Sequence, residues 1–287
     1  MNLERSIDLH SHTTASDGDH SPTQLIAHAK AVGLTTLAVT DHDTMEGLSE
    51  AIQAGKAAGV EVVPGIELSA EIDFGQCHIL GLFIDPSSEV MRSRLHDVIH
   101  NRNLRNEKIL AKMQAYGVSI TLAEVEAEAG GEVIARPHFA KVLLAKGFIS
   151  TMQEAFDKHL TQGGTFYVDR ARLSPKECIE LIHSAGGVAV LAHPNNLKRN
   201  EAETETKIRE LIDMGLDGIE ARYNLHSASD SSRYLALAER WGILTSGGSD
   251  FHGATVKPHV YLGHVEGKYP APNSLLEPLK ARSARYR

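Results

Sequence analysis

The chain has 287 residues, of which 42% are hydrophobic and 23% are charged, and this length can bury one large core or one core with a small second lobe. Its formal net charge of −8 argues against a broad basic face that grips long nucleic acid, but it permits a small phosphorylated substrate or the end of an oligonucleotide. The chain has no apolar run long enough to cross a bilayer and only two cysteines, Cys77 and Cys178, so we expect no membrane partner and a cytoplasmic location.

Short β-rich runs alternate with helical patterns over most of the chain. Strands are predicted at Ser6–His12, Thr35–His42, Glu61–Ile66, Cys77–Ile84, Gly187–His193, Gly218–Tyr223 and Leu244–Ser249. Helices are predicted between them at Pro22–Val32, Thr44–Ala58, Pro175–Ala185, Glu203–Met214 and Ala228–Trp241. In the first and third of these helices a serine precedes the opening proline, which is a helix-start signal. This alternation predicts a parallel α/β fold, either a barrel or an open sheet.

The alternation stops between about Leu95 and Arg172. Helical patterns occur there at Asp97–Tyr116, Leu122–Glu128, Pro137–Lys146 and Met152–Leu160, without a convincing strand. We therefore predict that residues 96–172 form a smaller all-helical inserted domain that overhangs the site and binds substrate. Residues 1–95 and 173–287 together form the predicted α/β domain.

The chain contains 16 histidines, and the informative ones lie at strand ends. The first run places Asp8, His10 and His12 at alternate positions of a strand, so that the three side chains share one face. Two imidazoles at that spacing can bind one metal ion, with Asp8 orienting one of the rings. Taken alone, a pair of exposed strand histidines is an equally good interpretation.

Further histidines and carboxylates follow the other predicted strands or open one of them. They are Asp17 in the loop after the first strand, His42, Glu67, His78, His193, Asp250 and His252. Because the C-terminal strand ends of an α/β fold meet at one face, we expect these side chains to share a pocket. Hydrogen-bonded core histidines would explain any one position, but they explain the whole set poorly. Imidazole and carboxylate ligands without a thiolate favour manganese, zinc or iron.

Together these segments resemble the PHP (polymerase and histidinol phosphatase) superfamily. The matching stretches are Asp8-Leu9-His10-Ser11-His12-Thr13, Thr40-Asp41-His42-Asp43, Gly65-Ile66-Glu67, His78, Ala192-His193-Pro194 and Ser249-Asp250-Phe251-His252. Within the superfamily the chain resembles the RNase AM group of 5′→3′ exoribonucleases and nucleoside 3′,5′-bisphosphate phosphatases, also at Ser16-Asp17-Gly18, at Arg136 with His138-Phe139-Ala140, and from Gly163 to Val168. The resemblance implies a distorted barrel of seven β/α units and a trinuclear metal site.

The resemblance also implies a ligand for each ion and a role for several residues. It assigns His10, His12, Glu67 and Asp250 to the first ion, Glu67, His78 and His193 to the second, and Asp17, His42 and His252 to the third. Two or three Mn²⁺ ions are expected, with Zn²⁺ or Fe²⁺ as alternatives, because clustered divalent ions activate water and neutralise phosphate oxygens. The residues expected to take part in catalysis are Glu67, His193, Asp250 and His252. The proton donor to the leaving oxygen stays open between a metal-bound water, His193 and His252.

Substrate-binding residues are expected in the insertion. Arg136 and His138 lie two residues apart at a predicted helix start, and a helix N-terminus with an arginine can clamp a phosphate. The resemblance places this pair at a phosphate-binding position; without it, a surface role would be the simpler interpretation of Arg136. Arg102 and Arg105 lie about one turn apart on the first inserted helix and could meet a second phosphate, although solvated helix faces often carry such pairs.

The resemblance therefore predicts a hydrolase that acts on phosphate ester bonds. The expected substrates are nucleoside 3′,5′-bisphosphates, which lose the 3′-phosphate, and short 5′-phosphorylated RNA or DNA, which releases 5′-mononucleotides in the 5′→3′ direction. One alternative is a histidinol-phosphate phosphatase, which the helical insertion and Arg136 disfavour. Another is a non-catalytic PHP module, which the complete ligand set disfavours, and an amide hydrolase would leave the phosphate clamp unused. No stable protein partner is expected.

Overall fold

The computed structural model describes residues 6–73, 75–129, 133–169, 171–266 and 270–287. Its eight described strands form one sheet in the spatial order β7-β6-β5-β4-β3-β2-β1-β8. The strands are β1 (Ser6–Asp8), β2 (Thr36–Val39), β3 (Glu61–Ala70), β4 (Cys77–Leu82), β5 (Val188–Leu191), β6 (Gly218–Tyr223), β7 (Leu244–Gly248) and β8 (Ala271–Pro272). A strand lies at each of the seven predicted positions, and β8 is an addition that the sequence did not indicate.

The sheet curls until the end of β7 meets the end of β1. Backbone hydrogen bonds join Leu9 N to the Gly247 carbonyl at 3.1 Å and Asp250 N to the His10 carbonyl at 2.9 Å. A glycine is required at this seam, because a Cβ on Gly248 would lie 2.4 Å from the Cβ of His10 and 2.6 Å from its nitrogen. The result is a nearly closed barrel of mixed α/β type, as predicted.

One strand corrects the prediction of a parallel sheet. β4 runs antiparallel to both of its neighbours, β3 and β5, whereas β1–β2, β2–β3, β5–β6 and β6–β7 are parallel pairs. Only residues 71–76 separate β3 from β4, and a parallel crossover needs about a dozen residues or more. The reversal has a functional consequence. His78 lies near the start of β4 and pairs with Ser69 near the end of β3, so it reaches the same rim as the C-terminal ends of the other strands.

In the part of the chain that the structure describes, six α-helices accompany the barrel. They are α1 (Pro22–Ala31), α2 (Leu48–Ala58), α7 (Pro175–Ser184), α8 (Glu201–Asp213), α9 (Ala228–Trp241) and α10 (Leu276–Ser283). Alternate strand residues such as Leu37 and Val39 share an apolar cluster with the helices, while the intervening Ala38 belongs to a second cluster that Leu276 and Leu279 of α10 complete. Successive side chains of the strands therefore alternate between two apolar clusters.

Every named element described between β4 and α7 is a helix, and Leu173 adds an isolated bridge to β3. The helices are α3 (Glu89–Ala115), α4 (Leu122–Ala129), α5 (Arg136–Ala145), α6 (Met152–Ala155) and a π-helical turn at Phe156–Leu160. Ile109, Phe139 and Phe166 belong to a buried apolar cluster within this segment, whereas Met91, Leu95 and Val98 of α3 pack in a barrel cluster. The division into a barrel domain and an inserted domain at residues 96–172 stays a prediction. Within the described ranges, no helix is long and apolar enough to cross a membrane.

Candidate metal centre

The first two histidines leave β1 on an extended stretch in which alternate side chains face opposite ways. Leu9 is buried in an apolar cluster and Ser11 donates its hydroxyl to the Ala38 carbonyl at 2.6 Å. His10 and His12 point the other way and are fully buried. Sequence alternation alone therefore brings two imidazoles to the rim of the barrel.

Asp8 does not orient either ring, which corrects the role expected for it. Its carboxylate accepts the backbone N–H groups of Ser249 at 2.9 Å and Gly263 at 2.8 Å, and the Ser249 hydroxyl at 2.5 Å. Burial raises the pKa of Asp8 although these hydrogen bonds favour the ionised form. Asp8 therefore ties β1 to the segment after β7 and does not serve as a partner of an imidazole.

Four ligand atoms form the first group of the site. His12 Nε2 lies 3.2 Å from Glu67 Oε2 and 3.3 Å from Asp250 Oδ1, and His10 Nε2 lies 3.4 and 3.5 Å from the same two oxygens. In a regular tetrahedron whose edges all had these lengths, the centre would lie about 2.0–2.1 Å from each corner, which is the usual metal–nitrogen and metal–oxygen distance. The four residues predicted for the first ion therefore meet at the spacing that an ion requires.

Glu67 lies between this group and a second one. Its Oε1 is 2.9 Å from His78 Nδ1 and 3.0 Å from His193 Nε2, which are the partners predicted for the second ion. His42 Nδ1 also approaches Oε2, at 3.0 Å, and His42, Glu67 and His78 form a compact group of possible ligands. The two oxygens of one buried carboxylate thus face different sets of imidazoles.

The third group joins Asp17, on the loop after β1, to His42 after β2 and His252 after β7. His252 Nε2 is 3.2 Å from Asp17 Oδ1, while His42 Nε2 is 4.0 Å from Asp17 Oδ2, so the three residues predicted for the third ion also meet. Asp41 shapes this loop. Its carboxylate accepts the Thr13 N–H at 2.8 Å and the hydroxyl of Ser16 at 2.6 Å, next to Asp17 in the chain.

The donor atoms fit divalent ions. His10 Nε2, both ring nitrogens of His12, His42 Nδ1 and Glu67 Oε2 are buried without a hydrogen bond, a costly state for polar atoms that coordination would relieve. Two rings are oriented for it: His10 Nδ1 lies 3.0 Å from Glu220 Oε1, and His252 Nδ1 donates to the Asp250 carbonyl at 2.9 Å. In both cases the Nε2 lone pair is left for an ion.

Electrostatics divide the site into neutral and charged parts. Burial lowers the pKa of His42 to about 3, and burial likewise lowers the pKa of His78 and His252, so these rings are neutral at pH 7. Burial favours the neutral form of His10 and His12, but the surrounding carboxylates favour the charged form more strongly. The pKa of His12 is therefore raised to about 9, and the pKa of His10 is raised well above its ordinary value. In the metal-free protein these two rings hold protons that an incoming ion has to displace.

Three residues beside the ligands were missed by the sequence analysis. Glu220, in the middle of β6, contacts His10 and the backbone of His193. Tyr223 donates its hydroxyl to Asp250 Oδ2 at 3.1 Å, and Lys257 reaches the same oxygen at 2.6 Å. Glu220 did carry a signal, because an acidic residue in a buried strand needs a partner. Tyr223 ends its strand at the same rim as the histidines, whereas Lys257 lies in a loop without a pattern.

The predicted substrate-binding residues lie on α3 and at the start of α5. Arg102 is buried and forms an ion pair with Asp43, next to His42 in the chain, and Arg105 is also buried. Arg136 donates from Nη1 to the Leu160 carbonyl at 3.0 Å. His138 Nδ1 accepts the Ala135 N–H at 3.0 Å, so its proton lies on Nε2.

His138 is electrostatically coupled to the metal groups. Burial lowers its pKa to about 4, the negative charge of Asp17 opposes this change, and Lys141 and Arg102 add to it. The ring is therefore neutral at pH 7 and lies within electrostatic range of a predicted metal ligand. Among the four substrate-binding candidates, His138 and Arg102 have contacts or charges that link them to the metal groups.

Comparison with known proteins places this geometry in a family. A profile of the PHP domain matches residues 8–225. The chain belongs to the PHP family. It is 34% identical to the 3′,5′-nucleoside bisphosphate phosphatase of Chromobacterium violaceum over 281 residues, covering 98% of each chain. It is 33% identical to the 5′-3′ exoribonuclease Rnm of Escherichia coli over 247 residues, covering 85% of this chain and 84% of that one.

A solved structure shares the PHP fold of this chain. A candidate metal-dependent phosphoesterase from Bifidobacterium adolescentis superposes with a TM-score of 0.86 at 30% identity, covering 97% of this chain and 96% of that one. The PHP membership and these relatives identify the chain as a hydrolase of phosphate esters. Both the family and the enzyme class predicted from the sequence are confirmed.

Proposed function

We propose that this PHP enzyme removes the 3′-phosphate of nucleoside 3′,5′-bisphosphates, releases 5′-mononucleotides from short 5′-phosphorylated RNA or DNA in the 5′→3′ direction, or does both. The observation that carries the proposal is the set of three adjoining donor groups, two of which share Glu67. The similarity to a bisphosphate phosphatase and to an exoribonuclease, each over most of the chain, supports this substrate class.

The three donor groups define what the chain contributes to the reaction. Divalent ions bound there would supply an activated water and neutralise the charge on phosphate oxygens. The proposed ligands are those assigned from the sequence, with Glu67 shared because its two oxygens face two groups. Mn²⁺ is the proposed metal and Zn²⁺ or Fe²⁺ also suit, since the donors are imidazoles and carboxylates without a thiolate.

Catalytic roles are proposed for Glu67, His193, Asp250 and His252. Asp250 is held with one oxygen toward His10 and His12, because Lys257 and Tyr223 occupy the other oxygen. His252 is a poor proton donor to a leaving group, because its Nδ1–H is already bonded to a carbonyl. This hydrogen bond favours His193 or water over His252 as the proposed proton donor.

Both proposed substrates carry a terminal 5′-phosphate next to the bond that is cleaved. We assign its recognition to Arg136 and His138 at the start of α5, with Arg102 and Arg105 of α3 as further basic groups. The Nε2–H of the neutral His138 ring can donate to a phosphate oxygen. A planar guanidinium can donate two parallel hydrogen bonds to phosphate.

A substrate panel tests the proposal. Metal-stripped protein is reloaded with Mn²⁺ and assayed on a nucleoside 3′,5′-bisphosphate, on matched 5′-phosphorylated and 5′-hydroxyl oligonucleotides, and on histidinol phosphate. We expect turnover of the nucleoside 3′,5′-bisphosphate and the 5′-phosphorylated oligonucleotide, and little turnover of the 5′-hydroxyl oligonucleotide or histidinol phosphate. The Glu67→Gln variant, purified in parallel, controls for contaminating phosphatases. Preference for histidinol phosphate would replace the proposed substrate class, and binding of Mn²⁺ without any turnover would favour the non-catalytic module.

The cytoplasmic location remains part of the proposal. Cys77 and Cys178 are both buried, and two buried cysteines are compatible with a reducing compartment. Burial raises the pKa of the Cys77 thiol to about 12, so this thiol is protonated and unreactive at neutral pH.

A further inference from the structure

Glu220 is a fully buried carboxylate that none of the predicted metal groups contains. It lies in the middle of β6, between the strands that carry ligands for two different groups. Its Oε1 lies 3.0 Å from His10 Nδ1, and its Oε2 accepts the backbone N–H of His193 at 2.7 Å. Each oxygen therefore binds a different ligand residue, one through its ring and one through its backbone.

The two contacts control different properties of the ligands. A carboxylate at His10 Nδ1 keeps the proton on that nitrogen and leaves the Nε2 lone pair facing Glu67 and Asp250. The contact to His193 fixes a residue with a φ of 29°, which lies in the left-handed region that residues other than glycine rarely adopt. A backbone in that conformation persists only when neighbouring groups stabilise it, and the hydrogen bond from the His193 N–H to the Glu220 carboxylate is one such interaction.

We propose that Glu220 is a positioning residue that holds His10 of the first group and His193 of the second in register for metal binding. This inference rests on the proposed metal centre but does not depend on the identity of the substrate. Glutamine at position 220 keeps the shape of the side chain but has one acceptor oxygen. It can satisfy the His193 N–H or face the protonated Nδ1 of His10, but not both.

A matched control lies immediately before the same strand. Asp217, immediately before β6, is also buried, lies 2.9 Å from His183 Nε2 and accepts the backbone N–H of Ala189 at 2.9 Å. It thus makes the same two kinds of contact, to one imidazole and to one backbone N–H. None of its partners belongs to a metal group, so Asp217→Asn tests the effect of losing a buried carboxylate without touching the ligands.

The experiment is a calorimetric titration of metal-stripped protein with Mn²⁺, without substrate. For Glu220→Gln we expect the tightest binding step to weaken by about 10–100-fold, the range for loss of a carboxylate that orients a metal-bound histidine. The rise in Tm on adding Mn²⁺ should shrink accordingly, since ligand stabilisation follows affinity. Asp217→Asn should lower the Tm of the metal-free protein and leave the Mn²⁺ affinity unchanged.

Several outcomes would overturn the proposal. The proposal is wrong if Glu220→Gln binds Mn²⁺ as tightly as the wild type. It is also wrong if Asp217→Asn loses as much Mn²⁺ affinity as Glu220→Gln, because an equal loss would indicate a general effect on the fold. If Glu220→Gln does not fold, Glu220→Asp takes its place, because the shorter side chain keeps the charge but cannot reach both partners. Unchanged affinity in that variant would be equally decisive. Wild-type protein that binds Mn²⁺ but hydrolyses no nucleotide would reject the proposed substrate and leave the Glu220 inference intact.

Discussion

Replacing Glu67 by glutamine should damage the metal centre more than any other single change. Glu67 Oε2 lies within 3.0–3.4 Å of three imidazole nitrogens, and Oε1 lies within 2.9–3.0 Å of two more. Glutamine fits the same volume, but it removes the negative charge and exchanges one oxygen for an NH₂ group that cannot bind a cation. Whichever way the amide turns, one of the two adjoining groups loses its carboxylate oxygen.

The magnitude follows from the burial of this carboxylate. Removing one partner from a buried ionic group costs about 3–5 kcal/mol. At about 1.4 kcal/mol per factor of ten, Mn²⁺ affinity should fall by roughly two to three and a half powers of ten. Activity on a nucleoside bisphosphate at low Mn²⁺ should fall in parallel, because the ions supply the nucleophile.

The assay combines titration with Mn²⁺, metal content after dialysis, and kcat/KM at several Mn²⁺ concentrations. The matched control is Glu71→Gln, which neutralises an exposed acid just beyond the end of β3. That variant should behave as the wild type. If Glu67→Gln retains the full number of ions with unchanged affinity, Glu67 is not a shared ligand and the grouping of donors is wrong.

Three further predictions concern stability and substrate choice. Burial favours the protonated form of Asp217, but its hydrogen bonds to His183 and other donors favour the ionised form more strongly. The pKa of Asp217 is therefore below its ordinary value. Asp217→Asn should therefore lower the free energy of unfolding by about 1–3 kcal/mol at pH 7. The difference in Tm between this variant and the wild type should narrow only as the pH falls below 3.8, because the carboxylate then protonates first in the unfolded chain and at lower pH in the folded protein. Gly248→Ala should lower the free energy of unfolding by about 1–3 kcal/mol, measured by urea titration, because the new Cβ would overlap His10; unchanged stability would contradict the closed seam. Arg136→Ala should reduce kcat/KM on 5′-phosphorylated substrates by about one to three powers of ten, corresponding to about 2–4 kcal/mol, and affect an aryl phosphate much less; equal losses would mean that Arg136 only supports the fold.

The strands could be placed from the sequence, but the direction of one of them could not. Alternating apolar residues and flanking glycines and prolines are local signals, and they located all seven main strands. The antiparallel course of β4 depends on the short link of residues 71–76, which rules out a crossover. β8 has only two residues, Ala271 and Pro272, and exists because β1 offers an edge to pair with. Such a strand has no periodicity that a sequence could display.

The residues of the three donor groups were easier to locate from the sequence than the residues around them. Imidazoles and carboxylates that follow strands are recognisable because their type and their position both point to metal binding. Glu220 and Lys257 act through contacts with residues far away in the chain, which only the fold brings together. Asp8 shows the opposite error. It shares a strand face with His10, yet its carboxylate is used by backbone N–H groups across the seam.

Arg102 illustrates how the fold limits what a basic residue can do. Its guanidinium is buried and already paired with Asp43, whose other oxygen accepts the Ser69 N–H at 3.1 Å. A substrate phosphate that bound Arg102 would have to compete with this carboxylate for the guanidinium, and breaking a buried ion pair is costly. Arg102 is therefore better suited to hold α3 against the metal groups than to act as the main phosphate clamp. The ion pair ties α3 to the residue that follows His42, and a fixed position of this kind is what the proposed recognition of a terminal phosphate would require.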